Sequence, residues 1–172
     1  LFIQSTVKTL KSKEIHQWTP MHQRFQDELH SLTATPMKAA ETDTFLSIRR
    51  LYDTYANVIP EELRDSVSDS AQLVLANLSD MEISAVVTHR DFTPWNMIVS
   101  DGSLFVFDWE YGIYHGVPGL DKCHFLIQTA IFEQHASPES VIRLLKQHED
   151  IDAMLLKIYL LDMISLYASR CS

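Results

Sequence analysis

The chain has 172 residues and a mass of 19.8 kDa, the size of one domain or of one lobe of a larger protein. Hydrophobic residues make up 46% and charged residues 22%, a globular balance that excludes disordered and fibrous classes. With 14 basic against 23 acidic residues the net charge is −9, which repels phosphate backbones and argues against nucleic acid as a partner.

The four glycines all fall at or after Gly102. The first 101 residues therefore read as helical rather than as a Gly-rich phosphate loop or a sandwich. Leu1–Ile3 reads as a strand end, followed by a solvated basic stretch at Lys8–Lys13. Thr19-Pro20 is a helix start, a capping residue before Pro at the first helical position. Met21, Phe25, Leu29 and Leu32 follow at helical spacing, and the helix should stop before Pro36. A second helix is expected over Asp43–Asn57, with Phe45, Ile48, Leu51, Tyr52 and Tyr55 facing inward. A third opens at Pro60, with Leu63, Val67, Val74 and Leu78 on one face.

The texture changes at Ile83. Ile83–Thr88 reads as a strand. Met97–Ser100 and Leu104–Phe107 read as a hairpin, because Asp101-Gly102 tolerates the positive φ values of a tight turn. After Tyr114 the pattern is helical again: Leu120–Gln134, then Ser137-Pro138 to about His148, then Ile151–Ser169. The fold class is α+β, mostly helical, with a small central β-hairpin.

Two cysteines, Cys123 and Cys171, make no disulfide framework, and no signal peptide is evident, so a cytoplasmic location is expected. The most apolar segment, Met154–Ala168, is broken by Lys157 and Asp162 and is too short to span a membrane, so no membrane partner is expected.

The chemistry concentrates in His89-Arg90-Asp91-Phe92-Thr93-Pro94-Trp95-Asn96 and in Phe107-Asp108-Trp109-Glu110. A carboxylate follows a strand, a carboxamide comes five residues later, and a second carboxylate ends the hairpin. The hairpin can fold back and bring Asp108 near Asn96. Two convergent oxygen donors suit Mg²⁺, which keeps several waters and needs few protein ligands. Asp91 is then free to face a substrate hydroxyl, on a loop stiffened by Pro94.

These residues match the catalytic loop His-Arg-Asp-x-x-x-x-Asn of protein kinases. The wider wording resembles the aminoglycoside phosphotransferase and choline kinase group. Its members carry His-Gly-Asp, a later Asn, and then Asp-Trp-Glu or Asp-Phe-Glu. Asp108-Trp109-Glu110-Tyr111 and Pro118-Gly119-Leu120-Asp121 resemble that group, whereas Arg90 follows the protein-kinase form. The segment after Asp108 lacks Ala-Pro-Glu and leaves no room for a long activation loop, which favours a small-molecule kinase.

The resemblance implies the C-terminal lobe of a protein-kinase-like fold, strongest over residues 83–125. It divides the chain into a helical part (1–82), a catalytic-loop and metal-binding hairpin part (83–118) and C-terminal helices (119–172). It implies Asp91 as catalytic base, with Asn96 and Asp108 holding Mg²⁺ against ATP. His89 would brace the loop, Asp121 would hydrogen-bond the loop's backbone, and Glu110 would support the metal or the acceptor. The acceptor would be a hydroxyl of an aminoglycoside, a choline-like alcohol, a sugar or an amino acid. No Gly-rich loop or Val-Ala-Ile-Lys strand is present. The chain opens on Leu1, so an N-terminal nucleotide lobe is expected in the full-length protein.

Other readings compete. His89 and Asp91 with His124 or His135 could form an iron-binding facial triad, although strands are too few for the usual barrel. A catalytically inactive, kinase-like binding module is the second alternative. Asp91 and Asn96 could be only a turn, and Asp121 only a helix cap. Trp95 and Trp109 are expected in the core or on a cleft wall, with the core favoured, His115, His124 and His135 at the surface or as satisfied core histidines, and Cys123 as an inert buried thiol.

Overall fold

The computed structural model describes residues 15–55 and 57–171. The expected strand end at Leu1–Ile3 and the basic stretch at Lys8–Lys13 lie outside the described residues. In chain order the helices are α1 (Pro20–Thr33), α2 (Asp43–Asp53), α3 (Glu61–Leu78), α4 (Leu120–Phe132), α5 (Pro138–Leu145) and α6 (Ala153–Cys171). The strands are β1 (Thr35–Lys38), β2 (Glu82–Thr88), β3 (Met97–Ser100), β4 (Ser103–Val106) and β5 (Ile113–Gly116). The class is α+β and mostly helical, as the sequence indicates.

Local chemistry sets the helix starts. Thr19 caps α1: its hydroxyl accepts from the Met21 N–H at 3.3 Å, and its own N–H donates to His22 Nδ1 at 3.0 Å. Pro20 occupies the first turn, where its missing N–H loses nothing. Ser137-Pro138 repeats the device at α5.

The hairpin forms in the expected register, Ser100 opposite Ser103 and Met97 opposite Val106. Both turn residues take positive φ, 51° at Asp101 and 77° at Gly102, which matches the strand twist.

Two strands escape the sequence pattern. β1 is Thr-Pro-Met-Lys, and β5 ends on Gly116. Proline weakens a strand reading, but β1 sits at the edge of the sheet β1-β2-β5, where a missing donor is tolerated. β5 pairs antiparallel with the other side of β2.

The core lies where α2 packs on α6 and α3, with Phe45, Ile48, Leu51, Ala71, Val74 and Leu161 buried. Tyr52, expected inward, is 41% exposed, and Leu63 and Leu32 also face out. On α1 the most buried side chains are polar, His22 and Gln26. They are tied to partners described below, which outweighs the apolar periodicity.

The same core extends beneath the segment after β2. Phe92 is fully buried. Its ring centroid lies 5.8 Å from Phe25, 6.1 Å from Trp18 and 6.3 Å from Phe125. One residue before it is Asp91.

Candidate active site

The loop from His89 to Asn96 joins β2 to the hairpin. Phe92 pins it into the core, and Pro94–Asn96 forms a single 3-10 turn. Three carboxylates then define its shape.

Asp121, in the first turn of α4, is buried beneath the loop. It accepts from the His89 N–H at 2.9 Å and from the Arg90 N–H at 2.9 Å. Gln26 Nε2 adds a longer contact at 3.4 Å. Two backbone donors that no strand partner serves are thereby satisfied. Gly119, with φ of 90°, lets the chain turn into α4 and places Asp121 there.

Asp162, on α6, holds the Arg90 side chain. Arg90 Nε lies 2.9 Å from Oδ2 and a terminal guanidinium nitrogen 2.8 Å from Oδ1, a two-pronged pair. Burial pushes the Asp162 carboxyl up, against the pull of the guanidinium. Arg90 itself has φ of 62°, a left-handed conformation that its neighbours must enforce.

Asp91 is half-buried and faces a different set. Asn96 Nδ2 donates to its Oδ2 at 2.7 Å and to its backbone carbonyl at 3.0 Å. His124 Nε2 lies 3.2 Å from Oδ1. Burial alone would raise the Asp91 pKa. The hydrogen bond and charge of His124, the Asn96 amide and nearby His89 outweigh it, and the carboxyl stays below the ordinary aspartate value.

His89 bridges the loop and the hairpin's exit. Its Nδ1 accepts from the Asp91 N–H at 3.2 Å, and its Nε2 donates to the Phe107 carbonyl at 2.9 Å. The Phe107 N–H in turn donates to the Asn96 carbonyl at 3.0 Å. The hairpin thus returns the chain to Asn96 one residue before Asp108. Asp108 is exposed and takes φ of 66°, a strained setting for a non-glycine residue.

The structure therefore brings Asp91, Asn96, His89 and Asp121 into one hydrogen-bonded unit and sets Asp108 beside it along the backbone. Glu110 is exposed in the turn after Asp108. The donor set fits a magnesium ion. The Asn96 amide nitrogen is committed to Asp91, which leaves the amide oxygen on the other side of the carboxamide, and Asp108 offers a solvent-facing carboxylate. Among the described residues no three His, Cys, Asp or Glu side chains converge as metal ligands. The iron-triad reading also fails on bonding: both ring nitrogens of His89 and both of His124 are engaged within the protein.

Sequence reasoning missed several residues here. His124 is buried, as one expectation had it, but its partners are Asp91 and Tyr159. It sits three positions after Asp121 on one helix, so shared facing was a usable signal. Asp162 appeared only as an interruption of an apolar stretch. Trp95 and Trp109 are 42% and 37% exposed, which overturns the favoured core reading. Trp95 lies in the loop with its ring 6.1 Å from that of Phe132, and Trp109 follows the hairpin with its ring 4.5 Å from that of His89. Cys123 is buried, and burial pushes its thiol up to about 12, so it is inert. Among the described residues no helix is long and apolar enough to cross a membrane.

The chain is 33% identical over 86 residues to Protein LicA of Haemophilus influenzae, a match covering 49% of this chain and 30% of that protein. Two crystal forms of a glucosamine kinase are similar at 18% identity. Form B has a TM-score of 0.38 and covers 84% of this chain and 39% of that one. Form A has a TM-score of 0.32 and covers 94% and 45%. The chain thus spans less than half the length of these relatives. Residues 8–121 match the family model described as the phosphotransferase enzyme family, and this span includes the whole loop, the hairpin and Asp121. The chain belongs to the phosphotransferase enzyme family.

Proposed function

We propose that this chain is the phosphate-transferring lobe of an ATP- and Mg²⁺-dependent kinase that acts on a hydroxyl of a small molecule. The observation that carries the reading is the Asp91 carboxylate fixed by the Asn96 amide at 2.7 Å, with the Phe107 N–H bonded to the Asn96 carbonyl one residue before Asp108.

Asp91 is the base. It orients the acceptor hydroxyl and accepts its proton as the acceptor oxygen bonds to the γ-phosphorus. The bond from that phosphorus to the bridging oxygen breaks, and ADP leaves. Asn96 and Asp108 hold Mg²⁺, which when bound neutralises charge on the phosphate oxygens. His89 and Asp121 keep the loop backbone in place, and Glu110 borders the metal or the acceptor. The nucleotide's other contacts come from an N-terminal lobe of the full-length protein. The acceptor belongs to the class of aminoglycosides, choline-like alcohols, sugars and amino acids, and the acidic chain suits a cationic one.

The test uses the full-length protein. Phosphate transfer to a panel of such acceptors is followed with ATP and Mg²⁺. Asp91→Asn should lower kcat by roughly 10²–10⁴-fold, the usual worth of a positioned base. Asp108→Asn should weaken Mg²⁺-dependent ATP binding while leaving the fold intact. If the parent binds ATP but transfers phosphate to no acceptor, and both variants bind ATP as the parent does, the kinase reading is wrong and the lobe is an inactive binding module.

A further inference from the structure

Asp91 Oδ1 is held by a group that lies outside the loop and hairpin. His124, on α4, is 2% exposed, and its Nε2 stands 3.2 Å from that oxygen. On the far side of the ring, Nδ1 stands 3.1 Å from the Tyr159 hydroxyl, and Tyr159 on α6 is also 2% exposed. The rings meet edge to face, with centroids 5.9 Å apart and planes at 67°.

The chemistry of these atoms fixes the direction of the chain. An ionised carboxylate only accepts, so in the neutral imidazole Nε2 must carry the hydrogen. Nδ1 is then an acceptor, and the Tyr159 O–H donates to it. Burial raises the Tyr159 pKa, so the phenol keeps its proton and stays a donor. The two Asp91 oxygens thus have separate holders. Asn96 takes Oδ2 within the loop, and His124 takes Oδ1 from the helical body.

We infer that His124, itself oriented by Tyr159, is a positioning residue that fixes the rotamer of the Asp91 carboxylate for the acceptor hydroxyl. The inference rests on the reading of Asp91 as the base. Neither His124 nor Tyr159 need touch the acceptor. When an acceptor approaches the carboxylate, Oδ1 remains tied to a ring that cannot move without opening the core. A carboxylate with one oxygen tied presents the other along a single direction, the condition for a near-attack geometry.

The full-length protein provides the test, with steady-state ATP turnover to an acceptor or to water. His124→Ala should lower kcat on the order of 10–100-fold, the effect expected of a displaced catalytic group, with KM for ATP unchanged. His124→Gln places an amide N–H where Nε2–H stood and should restore most of that loss. Tyr159→Phe, which removes one oxygen, should lower kcat several-fold in the parent and not at all in the His124→Ala background. A structural role alone would show as lost stability without the glutamine rescue or this coupling.

If His124→Ala turns over within about twofold of the parent while Asp91→Asn is inactive, the positioning inference falls and the base assignment stands. If Asp91→Asn keeps parental turnover, the base assignment itself falls. Losses at His124 and Tyr159 that multiply independently also overturn the inference.

Discussion

Arg90 and Asp162 form an ion pair sealed inside the protein, with side chains 9% and 0% exposed and a closest approach of 2.8 Å. They lie 72 residues apart in the chain and join the loop of the candidate site to the last helix. Such a pair contributes little net stability while intact, because desolvation offsets attraction. Breaking it leaves a lone buried charge. Asp162→Ala should therefore destabilise by about 3–5 kcal/mol, measured by urea denaturation. The double replacement Arg90→Met with Asp162→Leu should lose less than Asp162→Ala alone. A larger loss in the double variant would contradict this account.

Asp121 serves two backbone N–H groups with both oxygens. Asp121→Asn keeps one acceptor and turns an NH2 group toward a donor. The expected loss is about 2–3 kcal/mol, as for hydrogen bonds to a charged group, together with reduced turnover in the full-length protein. Thermal melts and kinetics of the same variant should agree in direction.

His22 makes the stability depend on pH. Its Nδ1 accepts from the Thr19 N–H, and its Nε2 has no hydrogen-bond partner among the described residues. Burial lowers its pKa from the ordinary 6.5 to about 4. The unfolded chain takes up this proton as pH falls through 6.5, and the folded chain resists it until about 4. Between those values the unfolded state holds more protons, so stability falls as pH drops. His22→Gln should remove up to about 1.4 kcal/mol per pH unit from that slope between pH 6.5 and 4. Denaturation midpoints at several pH values would show it, and an unchanged slope would refute it.

Gly119 stands at φ of 90°, and an added Cβ would lie 2.9 Å from Leu155 Cδ2. The leucine tip can give way, but the backbone conformation cannot suit alanine. Gly119→Ala should destabilise by about 1–2 kcal/mol, read as a lower melting temperature.

Much of this was legible in the sequence because the signals were local. Thr19-Pro20, Ser137-Pro138 and Asp101-Gly102 each carry their own geometry, and each produced the element it announced. The candidate site was legible as a string, since Asp91, Asn96 and Asp108 lie within 18 residues with a hairpin between them. What stayed hidden was held from a distance. His124 reaches back 33 residues to Asp91, and Asp162 reaches 72 to Arg90. A buried polar residue in an apolar helix announces that a partner exists, not which one. β1 and β5 were missed because four residues with proline or terminal glycine carry too little periodicity. The favoured core reading of Trp95 and Trp109 failed because size alone says nothing of which side faces solvent.

Phe92 has one more consequence. Its ring is packed among Trp18, Phe25 and Phe125, which holds the neighbouring Cα, that of the proposed base Asp91, in place. Enlarging or shrinking Phe92 would open a void or overfill a core before it re-aimed the carboxylate. Adaptation to a new molecule has room only at the rim, where Trp95, Trp109 and Glu110 face solvent. Under the proposed base assignment, the reacting point is stationary and variety is left to the surfaces that surround it.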